Sequence, residues 1–298
     1  MNLVIQEEFV NKSIREYLEF YKVSKSTIYI IERDKLAFVN GEVKLLDYKF
    51  KSNDLISLET SNLEVNNTPI SKVDIDIVYE DQDLLIVNKP PFLLVHSDGV
   101  DNDTLNNRVS FYYTKMGLNI EVRHTHRIDY ETSGMVIYAK NLLTHSYLSY
   151  LFSEHKIEKK YICIALNKFD KKEGIINSNI SKDRHSNKQI VCKNGKSAYT
   201  EYSVLSSKGS ESRVLVKIAG GRKHQIRVHM ASINHPIKGD KLYSKSSYPR
   251  MLLHFREVEF IHPRTLKTFK CVCKENFWTC INWNVFLKFW YNINSLLD

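Results

Sequence analysis

The apolar residues of this chain come in short runs. DLLIVNK (83–89), GMVIYAK (134–140), YICIAL (161–166) and RVLVKI (213–218) are of strand length, and no run reaches the roughly 18 residues of a membrane-spanning helix. Runs of that kind bury their surface by pairing into a sheet, and segments with helical spacing lie between them. The chain's 298 residues allow one large domain or a large one plus a small one. With 43% apolar and 26% charged residues it is globular in composition.

Several function classes are excluded by what is missing. The ten glycines never form G-x-G, which removes the dinucleotide fingerprint and the kinase-type glycine loop. Five cysteines, an odd number without a C-x-x-C pair, fit a reducing cytoplasm rather than a secreted scaffold. The N-terminus meets two acids before any apolar run long enough for a signal peptide, so the expected location is cytoplasmic, with no membrane.

Charge is distributed unevenly. The sequence carries a net +9; residues 1 to 58 balance, residues 59 to 120 sum to −6, and residues 121 to 298 sum to +15. An excess of that size is either a solvated basic surface or the footprint of a polyanion, and it belongs to the last three-fifths of the chain.

Residues 10 to 58 read as a small unit of their own. Ile14, Tyr17, Leu18 and Tyr21 mark one helix face with Ser13 as its cap, and a second short helix follows Ser24 with Ile28 and Ile31 on one face. Two alternating runs come next, the first containing an Asn40-Gly41 turn. Lys22, Lys25, Arg33 and Lys35 gather near the second helix. Residues 59 to 73 are polar and Asn-rich and read as a linker.

Two later stretches carry the candidate chemistry. In HTHRIDYETSGMVIYAKN, Asp129 closely follows His126 and Arg127 and precedes a Thr132-Ser133-Gly134 turn that opens a strand. After the strand SRVLVKI, Gly220-Gly221 turns the chain into a helix marked by Ile226, Met230 and Ile233. Arg222, His224, Arg227 and His229 project from its first turns, as a solvated basic face or as partners for a buried carboxylate. His224 and His229 are five apart with no acidic ligand nearby, so no metal site is expected.

Together, YEDQDLLIVNKP (79–90), HRIDYETSGMVIYAK (126–140), EKKYICIAL (158–166) and GRKHQIRVHMASINHPIKGDKLY (221–243) resemble the ordered motifs of the RluA-type pseudouridine synthases. With LLHF (252–255) and His262-Pro263 the resemblance spans residues 74 to 271, the expected catalytic domain. The fold it implies is α+β: a mixed, largely antiparallel sheet flanked by helices with a central cleft. The helix-helix-strand unit at residues 10 to 58 resembles the small RNA-binding module named after ribosomal protein S four, though it is electrically neutral. Residues 272 to 298 extend past the pattern and read as a helical tail, with Trp278, Ile281, Val285 and Phe289 at helical spacing.

The resemblance implies an isomerase that converts uridine in RNA, most often ribosomal RNA, to its carbon-linked isomer without cofactor, metal or obligate protein partner. It gives Asp129 the role of the essential carboxylate, acting on the ribose, on the base or through a glycal. Tyr161 matches the tyrosine that packs on the target base, and Arg227 the arginine that pairs with the carboxylate. Arg127 matches a residue that fills the space left by the extruded nucleotide, since the bond to be cut is inaccessible inside a stack. Lys22, Lys25, Arg33 and Lys35 are the module's candidate RNA contacts. Lys159, Lys160, Lys182, Arg184, Lys188 and Lys193 are candidate phosphate contacts elsewhere. Phe92, Ser97, Lys223, Asn234 and Ser244 depart from the family pattern and bear on substrate choice. The alternatives are an RNA-binding assembly factor that has lost turnover, and the same chemistry on transfer RNA.

Overall fold

The computed structural model describes residues 2–60, 66–101 and 103–277. The helix expected around Trp278, Ile281, Val285 and Phe289 lies outside the described residues.

The N-terminal unit contains β1 (Asn2–Val4), α1 (Ile14–Phe20), α2 (Lys25–Arg33), β2 (Ala37–Val39), β3 (Glu42–Val43) and β4 (Leu55–Leu58). Its strands form an antiparallel sheet in the order β1-β4-β2-β3. Ser13 closes a capping box on α1: its Oγ accepts from Glu16 N while the Glu16 carboxylate accepts from Ser13 N at 2.7 Å. Ser24 caps α2 through Thr27 N. Asn40 and Gly41, at φ 52° and 82°, make the tight turn between β2 and β3, a conformation both residues tolerate. Residues 2–4, outside the unit as read from sequence, pair with β4 along its edge.

The larger part begins with β5 (Ile77–Glu80), β6 (Leu84–Lys89), α3 (Leu105–Lys115), β7 (Arg123–His124), β8 (Ser133–Ala139), α4 (Leu142–Ser153) and β9 (Glu158–Leu166). It continues with β10 (Glu173–Asn177), β11 (Ile180–Lys182), β12 (Gln189–Val191), β13 (Tyr199–Lys208), β14 (Glu211–Ala219), α5 (Gln225–Ser232), β15 (Leu253–Ile261) and β16 (Thr268–Val272). A ten-stranded sheet runs β10-β13-β14-β9-β15-β8-β6-β5, with β16 on β15 and β7 on β8, and β11-β12 is a separate hairpin. Among the described residues β8 and β15 form its one parallel pair. This is the α+β architecture that the resemblance implies.

β8 is the buried centre, with all seven residues inaccessible. Gly134 is not a turn residue as expected but the second residue of this strand. At φ +114° it lies so close to β15 that a Cβ would meet Phe255 O at 2.4 Å, so only glycine lets the two strands pair here. The turn is instead Asp129 to Thr132, closed by Thr132 N on Asp129 O at 3.0 Å.

The N-terminal unit packs against this body. Phe20 stacks on Tyr147 of α4 with ring centroids 5.9 Å apart, and the Tyr21 hydroxyl donates to Pro263 O at 2.8 Å. The described end of the expected linker is strapped along α3, where Asn107 Nδ2 donates to Pro69 O and Ser110 Oγ to Thr68 O, both at 2.8 Å.

Candidate active site

Three elements converge on one cleft of about 400 Å³: the turn before β8 brings Asp129, β9 brings Tyr161, and α5 brings Arg227. Arg127, Arg222 and His224 also line it.

Arg227 is the anchor. Of the four basic residues expected on this helix, Arg227 and His229 are buried on α5, whereas Arg222, exposed, and His224, half-buried, precede it; the Arg227 side chain is only 2% exposed. Its Nε and Nη2 fork onto the two Asp240 oxygens at 2.7 and 2.8 Å, and Asp240 is fully buried. Asp240 Oδ1 also accepts from Leu242 N at 2.9 Å. Gly239 makes this corner possible, since a Cβ there would fall 1.9 Å from Arg250 O. Nη2 also reaches Glu131 at 2.9 Å, while Nη1 stands 3.6 Å from Asp129 Oδ2. Burial works against the guanidinium charge, but the Asp240 hydrogen bonds and the three carboxylates outweigh it and hold the group protonated. Arg227 therefore reaches Asp129 as expected, but through a long contact; its close partner is Asp240, which the sequence reading did not single out.

Asp129 is 27% exposed at the cleft wall, supplied with a counter-charge yet not closed by a short ion pair. Tyr161 lies flat against Phe255, with centroids 4.6 Å apart and planes 13° apart. The pairing of β9 with β15 places Phe255 opposite Tyr161 in the register, and a bulge follows between Phe255 and Glu257. Burial, aided by the nearby Asp129 charge, pushes the Tyr161 hydroxyl well up, so it remains a neutral phenol.

Arg127 is exposed at the rim, where its Nη1 donates to His96 Nε2 at 3.2 Å. His96 stacks on His124 with planes 5° apart. Burial first, and the Arg127 cation second, lower the His96 pKa, so its Nε2 is free to accept. Lys89, another residue the sequence reading passed over, is fully buried. Its Nζ donates to Pro90 O and Leu93 O at 2.8 Å and to Tyr130 O at 3.3 Å, tying the 90s loop to the Asp129 turn. Burial pushes its ammonium down to about 7, against the pull of Asp129.

The candidate RNA contacts of the N-terminal unit do not line the cleft. Lys22 sits over the Tyr150 ring at 5.0 Å, and Arg33 forks onto its neighbour Asp34 at 2.7 and 2.8 Å. Lys25 and Lys35 are exposed. Lys159 is buried, and Lys160 pairs with Glu257 at 2.7 Å. Lys182, Arg184, Lys188 and Lys193 are exposed on and around the β11-β12 hairpin, which the Tyr243 hydroxyl joins to α5 through Gln189 N at 2.6 Å and His224 Nδ1 at 3.1 Å.

Asp81, Asp83 and His262 bring three potential metal-ligand atoms within 4.8 Å of one another. They are already engaged: Arg264 forks onto Asp83, and His262 Nε2 bonds to Asp81 at 2.9 Å. Among the described residues no helix is long and apolar enough to cross a membrane.

Residues 83–232 match the family described as RNA pseudouridylate synthase. The chain is 35% identical over 251 residues to an uncharacterized RNA pseudouridine synthase, YhcT, of Bacillus subtilis, covering 82% of this chain and 83% of that protein. It is 33% identical over 249 residues to ribosomal large subunit pseudouridine synthase D of Borreliella burgdorferi, covering 80% and 73%. The solved human RNA pseudouridylate synthase domain containing 1 shares the fold, with a TM-score of 0.60 over 70% of this chain and 86% of that one at 24% identity. Half the chain matches the family model, and relatives above 30% identity cover most of its length; the chain belongs to the RNA pseudouridine synthases of the RluA type.

Proposed function

We propose that this enzyme isomerises specific uridines in ribosomal RNA, drawing the target nucleotide into the cleft. Asp129 then drives cleavage of the ribose-base bond and its re-formation through carbon five. The observation that carries the assignment is the convergence of a partly open carboxylate, a flat tyrosine face and a buried arginine in one cleft. The chemistry is balanced within the substrate: the bond from ribose to the base nitrogen breaks, a bond from ribose to carbon five forms, and the proton leaving carbon five is matched by one gained at nitrogen.

Each residue has a role suited to its surroundings. Asp129 has the exposure to reach a bound nucleotide, and Arg227 fixes its orientation from below. Tyr161, kept as a phenol, offers a ring face on which the detached base can turn, supported from behind by Phe255. Arg127, held at the rim by His96, is placed to enter the stack as the nucleotide leaves it. The ribosomal target is favoured by the likeness to ribosomal large subunit pseudouridine synthase D.

The proposed organisation is an RNA-binding unit at residues 10–58, a linker at 59–73, a catalytic domain at 74–271 and a tail at 272–298. Lys25 and Lys35 are then the unit's phosphate contacts, because Lys22 and Arg33 are already engaged within the protein.

The test is to incubate the protein with unmodified ribosomal RNA and, separately, transfer RNA, and to map new pseudouridines. Product is expected in ribosomal RNA, with Asp129→Asn slower by about a thousandfold or more. Product confined to transfer RNA would move the substrate assignment. Equal product from parent and Asp129→Asn would remove Asp129 from the reaction, and no product on either RNA would favour an assembly role.

A further inference from the structure

Phe92 has φ +62°, in the left-handed region where a bulky side chain is strained and glycine is at ease. Burial does not explain the choice of phenylalanine, because the residue is 43% exposed. Its ring meets that of Tyr130 edge to face, with centroids 5.8 Å apart, and Tyr130 is 47% exposed. Two large aromatic surfaces are thus kept in water side by side, one of them on a backbone that disfavours it.

Both are held firmly and both adjoin the reacting group. Tyr130 directly follows Asp129 in the turn before β8. Tyr130 O accepts from Phe92 N at 2.7 Å and from buried Lys89 Nζ at 3.3 Å, so one carbonyl ties together the backbones that carry the two rings. Four residues beyond Phe92 on the same loop, His96 holds Arg127 at the cleft rim. Neither ring lines the cleft that holds Asp129 and Tyr161.

We infer that Phe92 and Tyr130 form a stacking platform for an unpaired base next to the target uridine in the RNA. The inference rests on the RNA-directed function proposed above and adds a subsite to it. An edge-to-face pair leaves a ring face open to solvent, and every base has a face to lay on it. The strained backbone presents the Phe92 ring beside the catalytic turn. A platform at this point would hold the strand on one side of the flipped nucleotide and take up stacking lost when the target leaves its neighbour.

The experiment uses the full chain and a single-stranded oligouridylate carrying one 2-aminopurine, whose fluorescence is quenched when the base stacks. Parent, Phe92→Gly, Phe92→Trp and Tyr130→Ala are compared for affinity, quenching and Tm. Phe92→Gly is the informative variant because it removes the ring while relieving the backbone. It should bind about tenfold more weakly and lose quenching, the size expected for one lost base-aromatic stack, with Tm unchanged. Phe92→Trp should bind and quench as the parent does, and Tyr130→Ala should weaken binding in the same direction.

Parent-like affinity and quenching in Phe92→Gly would overturn the platform while leaving the RNA assignment intact. A fall in Tm without loss of RNA affinity would show that the ring serves the fold instead. A parent that binds neither the oligouridylate nor ribosomal RNA would overturn the RNA assignment and the platform with it.

Discussion

Arg227 forks onto buried Asp240 beneath the cleft, and Arg264 onto buried Asp83 at the seam with the N-terminal unit. The charge around them differs. Asp83 also accepts from Asn141 Nδ2 at 2.9 Å, and its neighbour Asp81 is bonded to His262, so each acid there has its own close partner. Arg227 faces three carboxylates, Asp240, Glu131 and Asp129, and closes short contacts with only the first two. The seam is satisfied and therefore structural. In the cleft, the firm grip on Asp240 aims a leftover guanidinium nitrogen at an acid that water and substrate can reach. On the proposed reading, the reactive group is the one left incompletely paired on a rigid mount.

The hardest test of this contrast is Asp240→Ala. Removing one partner of a buried pair strands the other, and a loss of about 3–5 kcal/mol in urea unfolding is expected, together with loss of turnover. Asp129→Asn should cost less than about 1 kcal/mol, since the contact it alters is long and partly exposed. Equal destabilisation by the two changes would erase the distinction between mount and reactive group.

Acid should separate the two regions next. On the cleft side, burial pushes His124 down to about 4 and His126 down to about 3. Their folded values lie below the unfolded value near 6.5, so the stability they contribute is complete above that pH and is lost as pH falls toward 4 and 3. At the seam, burial raises the Asp81 carboxyl, but hydrogen bonds from His262, the Asp83 and Leu84 amides and Tyr79 outweigh it and hold the group well below its usual range. Its contribution survives until pH falls below the ordinary aspartate range. Between pH 6 and 4.5, unfolding free energy should therefore drop by about 1.4 kcal/mol per pH unit for each of the two histidines, with Asp81 silent. Urea midpoints across that window test it, and a flat profile would contradict it.

Arg264→Ala probes the seam directly. Loss of its charged hydrogen bonds to Asp83 should cost about 1.5–3 kcal/mol. The effect should appear as faster amide exchange in α1 and α2, because the 263–264 segment that receives Tyr21 and Gln6 loses its tether. Turnover on a short RNA should stay near the parent's. Unchanged exchange in both helices would mean that the N-terminal unit is held by its aromatic contacts alone.

What could be read from sequence divides along similar lines. Ser13, Ser24 and the Asn40-Gly41 turn act on residues within three positions of themselves, so their roles were legible. Asp129, Tyr161 and Arg227 were legible as motif residues, and the cleft does bring them together. Asp240 and Phe255 lie inside quoted motifs, but their roles were not legible, because their meaning comes from pairing across the sheet and from the corner at Gly239. Gly134 was misread as a turn glycine for the same reason: its neighbour in space, Phe255, is remote in the chain. Lys22 and Arg33 read as candidate RNA contacts; the acid that engages Arg33 is its own sequence neighbour, Asp34, whereas Lys22 meets a ring, Tyr150, that only folding brings to it.

That last point sets the smallest test. The Lys22 ammonium over Tyr150 is an exposed cation-π contact, and Lys22→Ala should lower stability by about 0.5–1 kcal/mol. If Lys22 serves the seam, the slope of RNA affinity against salt should match the parent's, because no phosphate contact is lost. Lys25→Ala, which removes an exposed charge at the start of α2, should do the reverse: leave stability unchanged and reduce the slope by about one. A reduced slope for Lys22→Ala would place it on the RNA after all. A parent-like slope for both would leave the phosphate contacts to the basic side chains of residues 121 to 298, which sum to +15.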